Sequence, residues 1–277
     1  MTTKTIEIDN ISYRYTIDIE VLKNITLSIS PGERVALLGH NGSGKSTLAK
    51  HLNGLLLPRD GEIRIHGIAT TQRRIAQLAH FVALLFQNPN DQICKRTVRD
   101  EVAFGPQNLK YSAERVEALV NWALDAFNLS EKVGYNPHDL GYGERKRLAL
   151  ASVLAMDTEI IVLDEPTVGL DPKEVSQCIR VLRELETKNK IVIVISHDMD
   201  FIARTMTRAV CLEDGCKRFD GSLSELFDDV FLLEQCGLLL PQIAQLSVHY
   251  GLHLQEYSAK SFIDEFTQQR AVTLLSK

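Results

Sequence analysis

Gly39-His40-Asn41-Gly42-Ser43-Gly44-Lys45-Ser46 fits the pattern GxxxxGK[ST] in full, and its surroundings are those the pattern requires. Before it, Val35-Ala36-Leu37-Leu38 is a short apolar run typical of a strand buried on both faces. After it, residues 45–57 read as a helix with Leu48, Leu52, Leu55 and Leu56 on one side. Glycines let the backbone between strand and helix curl until successive N–H groups face one anion. The helix N-terminus adds a partial positive charge. Lys45 supplies a full charge to the β- and γ-phosphates of a nucleotide. The Ser46 hydroxyl is a ligand for Mg2+, and Thr47 can bond a phosphate oxygen.

Downstream, Ile160-Ile161-Val162-Leu163 is an apolar strand that ends in Asp164-Glu165. Such a strand carries Asp164 to the carboxyl edge of the sheet, where open α/β folds bind ligands. Asp164 then holds Mg2+ directly or through water, and Glu165 is free to act as general base on the attacking water. A second strand, Ile191–Ile195, ends in Ser196-His197-Asp198. His197 reaches the same edge, where it can bond the γ-phosphate and the attacking water. A helix over about 172–187 separates the two strands, and this β-α-β alternation implies a buried parallel sheet. The fold class is α/β.

Residues 5–38 read as β-rich, with Ile6, Ile8 and Ile11, then Ile25, Leu27 and Ile29, alternating with polar residues. Pro58-Arg59-Asp60-Gly61 ends the first helix, and Glu62-Ile63-Arg64-Ile65 alternates like a strand. From about 90 to 155 the pattern is helical, with Val116, Leu119, Val120, Ala123, Leu124 and Phe127 at helical spacing over 112–128 and a second helix over 143–156. A final strand, Ala209–Leu212, ends at Glu213-Asp214-Gly215, and beyond Gly221 the chain turns helical and leucine-rich. The expected domains are 1–220 and a small C-terminal domain over 221–277.

Composition narrows the function. The 277 residues are 44% hydrophobic and 24% charged with a net charge of −5, which argues against a general nucleic-acid binder. No run approaches ~18 uninterrupted apolar residues, the least a spanning helix needs. Met1-Thr2-Thr3-Lys4 and the residues after it lack the basic-then-apolar pattern of a signal peptide. The five cysteines form no CxxC pair and read as reduced thiols of a cytosolic protein.

Together these residues resemble the ABC ATPase family over roughly 5–235, with the motifs in the family's order. The resemblance implies a core of mostly parallel sheet with an antiparallel β subdomain, a helical subdomain and a small helical C-terminal domain. It implies that Tyr15, rather than Tyr13, stacks on adenine. It implies that Gln87 contacts Mg2+ and water, that Gly169-Leu170-Asp171 crosses a dimer interface, and that His197 is the switch histidine. Family members form head-to-tail dimers in which each nucleotide lies between one phosphate loop and the other subunit's signature. The family signature reads Leu-Ser-Gly-Gly-Gln, whereas here it reads Leu140-Gly141-Tyr142-Gly143-Glu144, followed by Arg145-Lys146-Arg147. Gly141 lacks the serine hydroxyl that bonds the γ-phosphate, and Gly143 keeps its backbone N–H. The site this signature completes is therefore expected to be weakened rather than dead.

Two stretches look like the A subunits of energy-coupling-factor transporters. One is Phe86-Gln87-Asn88-Pro89-Asn90-Asp91-Gln92 with Val98 to Leu109, and the other is the tail from Gly221 to Gln242. The resemblance implies ATP and Mg2+ as cofactors and a location at the cytoplasmic face of the membrane. The implied partners are a second ATPase (identical or related), a transmembrane coupling subunit and a membrane-embedded subunit that binds a vitamin or metal ion. The tail's Leu226, Phe227, Val230, Phe231 and Leu233 either help hold the dimer or cover the flank of the sheet. A chromosome-organising ATPase would need a long coiled coil between Lys45 and Asp164, and no sustained heptads occur there. A translation-factor type would normally carry two cassettes, and the chain has a single GxxxxGK[ST]. The presence of Glu165 and His197 speaks against a subunit that binds ATP without hydrolysing it, and the tail and Asn88–Gln92 speak against the runner-up, the ATPase of a conventional binding-protein-dependent importer.

Overall fold

β1 (Ile6–Thr16) and β2 (Ile19–Ile29) pair antiparallel, with Ile6 opposite Ile29, Ile8 opposite Leu27 and Ile11 opposite Ile25. The alternation read from the sequence thus puts these isoleucines on one buried face. The computed structural model describes residues 5–16, 19–252, 254 and 257–275, with side chains to residue 269. Met1–Lys4, part of the stretch read for a signal pattern, lie outside the described residues.

The chain then enters β3 (Arg34–Leu38), crosses the glycine loop and forms α1 (Lys45–Leu52). β4 (Asp60–Ile65) and β5 (Ile68–Ala69) join β1 and β2 in a four-stranded antiparallel sheet of order β2-β1-β4-β5. After α2 (Ile75–Leu78) and β6 (Val82–Leu85) come the helices α3 (Val98–Asn108), α4 (Ala113–Ala126) and α5 (Tyr142–Ala155). β7 (Ile160–Asp164), α6 (Pro172–Glu186), β8 (Ile191–Ile195), α7 (Met199–Thr205), β9 (Arg208–Glu213) and β10 (Cys216–Ser222) follow. The tail carries α8 (Leu223–Asp228), α9 (Val230–Gln235), α10 (Gln242–Tyr250) and α11 (Ala259–Leu275).

The larger sheet has the order β10-β9-β3-β8-β7-β6. β3, β6, β7, β8 and β9 run parallel, and β10 pairs antiparallel at the edge. Its two faces are both buried, and the period-2 alternation sorts side chains between two cores. Val35, Leu37, Ile160, Val162, Ile193 and Val210 pack with α1 and the antiparallel sheet. Ala36, Leu38, Ile161, Leu163, Val194 and Cys211 pack with the helices on the other side.

Three local readings are revised. α1 ends at Leu52, because Asn53 caps it and Gly54 turns the chain at φ 77, so Leu55 is 41% exposed. Asp60 and Gly61 already belong to β4. The strand at 208–213 does not end the sheet, since Asp214 (φ 47) and Gly215 (φ 81) form a tight hairpin into β10.

The tail does not stand apart from the rest. Leu226, Phe227, Leu233 and Cys236 belong to the helix-side core, whereas Phe231 is 69% and Leu239 80% exposed. The tail also returns to the glycine loop, where a methyl on Gly237 would lie 3.3 Å from His40 Cβ. Among the described residues, no helix is long and apolar enough to cross a membrane.

Candidate functional site

The carboxyl ends of β3, β7 and β8 deliver three short segments to one edge. There a cleft of about 360 Å3 is lined by Tyr15, Asn41, Gly42, Gly44, Lys45, Ser46, Thr47, Gln87, Asp164, Glu165 and His197, with Val21 and Ile195. Residues from five separate parts of the chain therefore share one cavity.

Gly39 and Ser43 shape the loop without lining the cleft. Gly39 has φ 136, and a Cβ there would lie 2.1 Å from Leu212 O, so only glycine fits. The Ser43 side chain is fully buried, and its hydroxyl has no hydrogen-bond partner among the described residues. Lys45 donates from Nζ to Gly39 O (2.7 Å) and His40 O (2.8 Å). Its ammonium stands in the loop that would otherwise wrap an anion.

Burial depresses the Lys45 pKa, while Glu165 and Asp164 pull it back up. Burial raises Asp164 above the ordinary carboxylate range, against the Ser46 hydroxyl bond and the charges of Lys146 and Lys45. Burial likewise raises Glu165, with His197 and Ser196 opposing and Asp164 adding to the rise. Glu165 sits at φ 49, a left-handed conformation uncommon for a residue with a side chain. Its N–H donates to Ile195 O (2.8 Å), and its Oε2 accepts from Ser196 Oγ (3.3 Å) and from the His197 N–H (3.4 Å). His197 Nε2 lies 2.9 Å from Asn41 Oδ1 and 3.6 Å from Glu165 Oε1. One imidazole thus bridges the glycine loop and the acidic strand end.

Ser46 and Asp164 are hard oxygen donors joined by a hydrogen bond, and the Gln87 amide lines the same cavity. Among the described residues, no group of three His, Cys, Asp or Glu side chains could hold a metal. A site with few protein oxygens suits Mg2+, which keeps waters and takes phosphate oxygens as its other ligands. The residues present therefore fit Mg2+ delivered with a nucleotide.

At the far wall the Tyr15 ring is half exposed, stands edge-on to Tyr13 (5.1 Å between centroids), and its hydroxyl lies 3.1 Å from Thr47 Oγ1. Tyr13 packs edge-on to the buried His51 (4.7 Å) and does not line the cleft.

Gly141, Gly143, Glu144 and Asp171 lie elsewhere. Glu144 and Asp171 line a separate depression with Lys132, Arg147 and Glu174, which shares no residue with the cleft. Gly141 caps α5, and its N–H donates to Glu144 Oε2 (3.0 Å).

Lys146 is part of this site and was not read from the sequence as functional. It is fully buried and donates from Nζ to Gln87 O (2.9 Å), Phe86 O (3.4 Å) and Asp164 O (3.4 Å). Burial brings its pKa down to about 8, with Asp164 and Glu165 opposing. No local signal marks it, because a lysine on a helix reads as solvated until the neighbouring strands are in place.

The raised carboxylates have a measurable consequence. The folded chain holds protons on Asp164 and Glu165 more tightly than the unfolded chain does. Their contribution to stability is therefore present at acid pH and is lost as pH rises above the ordinary carboxylate range. In chelator and without nucleotide, the melting temperature is expected to fall through that window. Asp164→Asn, neutral throughout, should flatten the fall, and a slope equal to wild type would remove Asp164 from the cause.

Comparison with known proteins bears on the family and the fold. A family profile described as "ABC transporter" matches residues 22–168. The chain is 41% identical over 262 residues to the energy-coupling factor transporter ATP-binding protein EcfA of Methanothermobacter thermautotrophicus, covering 94% of this chain and 84% of that protein. Among solved structures it resembles cbiO1 from Clostridium perfringens, part of the ABC transporter complex cbiONQ. That likeness has a TM-score of 0.72 and 30% identity, covering 89% of this chain and 99% of that one. It also resembles the dimeric post-hydrolysis cassette MJ0796 bound to ADP and Pi, with a TM-score of 0.72 and 28% identity over 79% of this chain and 98% of that one.

Proposed function

The chain belongs to the ABC transporter family, and from that membership we propose that it is the motor of an energy-coupling-factor importer, driving uptake of a vitamin or a transition-metal ion. It is an ATP-binding and ATP-hydrolysing subunit. The finer assignment is carried by the likeness to EcfA along nearly the whole chain, tail included.

In the reaction we assign, Lys45, Ser46, Thr47 and the loop N–H groups hold the phosphates while Tyr15 stacks on adenine. Ser46 and Asp164, beside Gln87, would hold Mg2+, which when bound would supply positive charge to the phosphates. Glu165 accepts a proton from water as the water oxygen bonds to the γ-phosphorus. The bond to the departing ADP oxygen breaks, leaving ADP and phosphate. His197 steadies the γ-phosphate and reports its loss to Asn41 and Glu165. Two chains close head to tail around ATP, and closure is passed to membrane subunits near Gln87 and the helical subdomain. The chain works at the cytoplasmic face of the membrane. The exposed Phe231 and Leu239 support a part for the tail in holding the dimer, alongside the buried part it has in the core.

Purification from membranes tests the assignment. We expect a transmembrane coupling subunit and a small membrane-embedded binding subunit to come with the chain. Recovery with a conventional importer's permease instead would overturn it.

Gly141 and Tyr142 favour pairing with a related ATPase whose own signature is intact, so that one composite site is weakened. A lost hydrogen bond to a charged group costs about 1.5–3 kcal/mol, roughly ten- to a hundred-fold at about 1.4 kcal/mol per decade. Gly141→Ser has room, since a Cβ there meets only Glu144 Oε2 at 3.7 Å. Serine also restores a preferred N-cap for α5. Turnover of the assembled complex should rise, and no rise would count against a missing γ-phosphate contact. Two identical ATPase copies in the complex would rule out the mixed pair.

A further inference from the structure

The signature and the Gly169–Asp171 loop are tied together within one chain. Each is followed by a helix whose third residue is a glutamate reaching back to cap it. Gly141 N–H donates to Glu144 Oε2 (3.0 Å), and Asp171 N–H donates to Glu174 Oε2 (2.9 Å). Arg147, one turn along α5 and with a side chain only 11% exposed, stands between these glutamates. Its Nε is 2.8 Å from Glu174 Oε1, and its Nη2 is 3.9 Å from Glu144 Oε1. Nη1 donates to Phe127 O (2.6 Å), which fixes the plane of the guanidinium. Lys132 pairs with the same Glu144 oxygen, Oε1.

The backbones also touch. A Cβ on Gly143 would lie 2.8 Å from Gly169 O, and one on Gly169 would lie 2.5 Å from the Tyr142 ring. Without a tie, two carboxylates brought to one place would repel and push these loops apart. A guanidinium shared between them offsets that repulsion by charge: Nε lacks hydrogen-bond geometry to Glu174 and Nη2 stands 3.9 Å from Glu144, so the tie is an ion pair to each carboxylate, held in place by the bond to Phe127 O.

We propose that Arg147 is a positioning residue for ATP hydrolysis, holding the signature and the Gly169–Asp171 loop as one body so that both meet the partner's nucleotide together. Arg147 does not line the nucleotide cleft. The inference rests on the dimeric motor reading, in which both loops face the other subunit.

The test uses the assembled complex and the full-length chain. Arg147→Met keeps the stem and removes the charge. A misplacement of about 1 Å can cost about a hundredfold in rate, and we expect a ten- to hundred-fold fall in kcat at the composite site this signature completes, read in a Glu165→Gln background that silences the site on this chain's own phosphate loop. Equilibrium ATP binding to the full-length chain should change less than twofold, since its own cleft is untouched. Arg147→Lys should recover part of the rate. Glu174→Gln alone should cost a similar factor, and adding it to Arg147→Met should cost little more. Wild-type kcat in Arg147→Met, or losses that multiply in the double variant, would overturn the proposal, as would an equal loss of ATP binding by the chain. Glu174→Gln changes no shape and serves where Arg147→Met fails to fold. A wild-type assembled complex whose two ATPase chains never close on each other in ATP would overturn both this and the motor reading. Pairing that persists with normal Arg147→Met turnover would overturn this alone.

Discussion

Glu165→Gln is expected to bind ATP and fail to hydrolyse it, with phosphate release down by about 10²–10⁴-fold, the usual contribution of a general base. Glutamine has the same shape, and its amide oxygen can still accept from Ser196 Oγ and the His197 N–H, the two donors on Glu165 Oε2. The left-handed backbone at φ 49 is the same for either residue. Burial already works against the charge at this position, so a neutral amide does not unsettle the fold. What disappears is the carboxylate beside His197 to which the base role is assigned. Phosphate release from the purified complex gives the rate, and size-exclusion in ATP shows whether the closed dimer persists. Undiminished release would remove Glu165 from the role of base.

Lys45→Met should abolish tight ATP binding. Without nucleotide the ammonium is satisfied by Gly39 O and His40 O, so binding exchanges these carbonyls for phosphate oxygens. A hydrogen bond to a charged group is worth about 1.5–3 kcal/mol. Losing two such bonds lowers affinity by roughly 10²–10⁴-fold at about 1.4 kcal/mol per decade. The loss is compounded because Asp164 and Glu165 then face the triphosphate without the cation that offsets them. Lys45→Arg should not rescue, since the side chain is buried in a loop shaped for a point charge, and a planar guanidinium needs more room. Equilibrium titration with ATP on a variant whose circular dichroism matches wild type provides the measurement. Affinity near wild type would contradict the loop's assigned role.

Much of this architecture was legible because its determinants are local. The glycine loop needs its residues at fixed spacing, and the strands ending in Asp164-Glu165 and Ser196-His197 are continuous apolar runs that suit only a buried parallel sheet. Their shared edge follows from the handedness of the connections. β10 was missed because it is an edge strand, and Lys217 and Arg218 hide the pattern, although Asp214-Gly215 carried the hairpin signal. α1 was drawn too long because Leu55 and Leu56 continue the helical period past the stop at Asn53-Gly54. Lys146 and Arg147 were beyond sequence reasoning for a different reason. Both lie next to the signature, yet their meaning depends on carbonyls and carboxylates that tertiary packing brings to them.

Lys146 also constrains how the molecule can flex. Its ammonium is anchored to backbone oxygens of the loop after β6 and of the end of β7. Swinging the helical lobe outward would strand a cation in a dry interior, which is costly. The lobe should therefore turn about this point as a lever turns on a fulcrum, with large travel at α4 and almost none at Gln87.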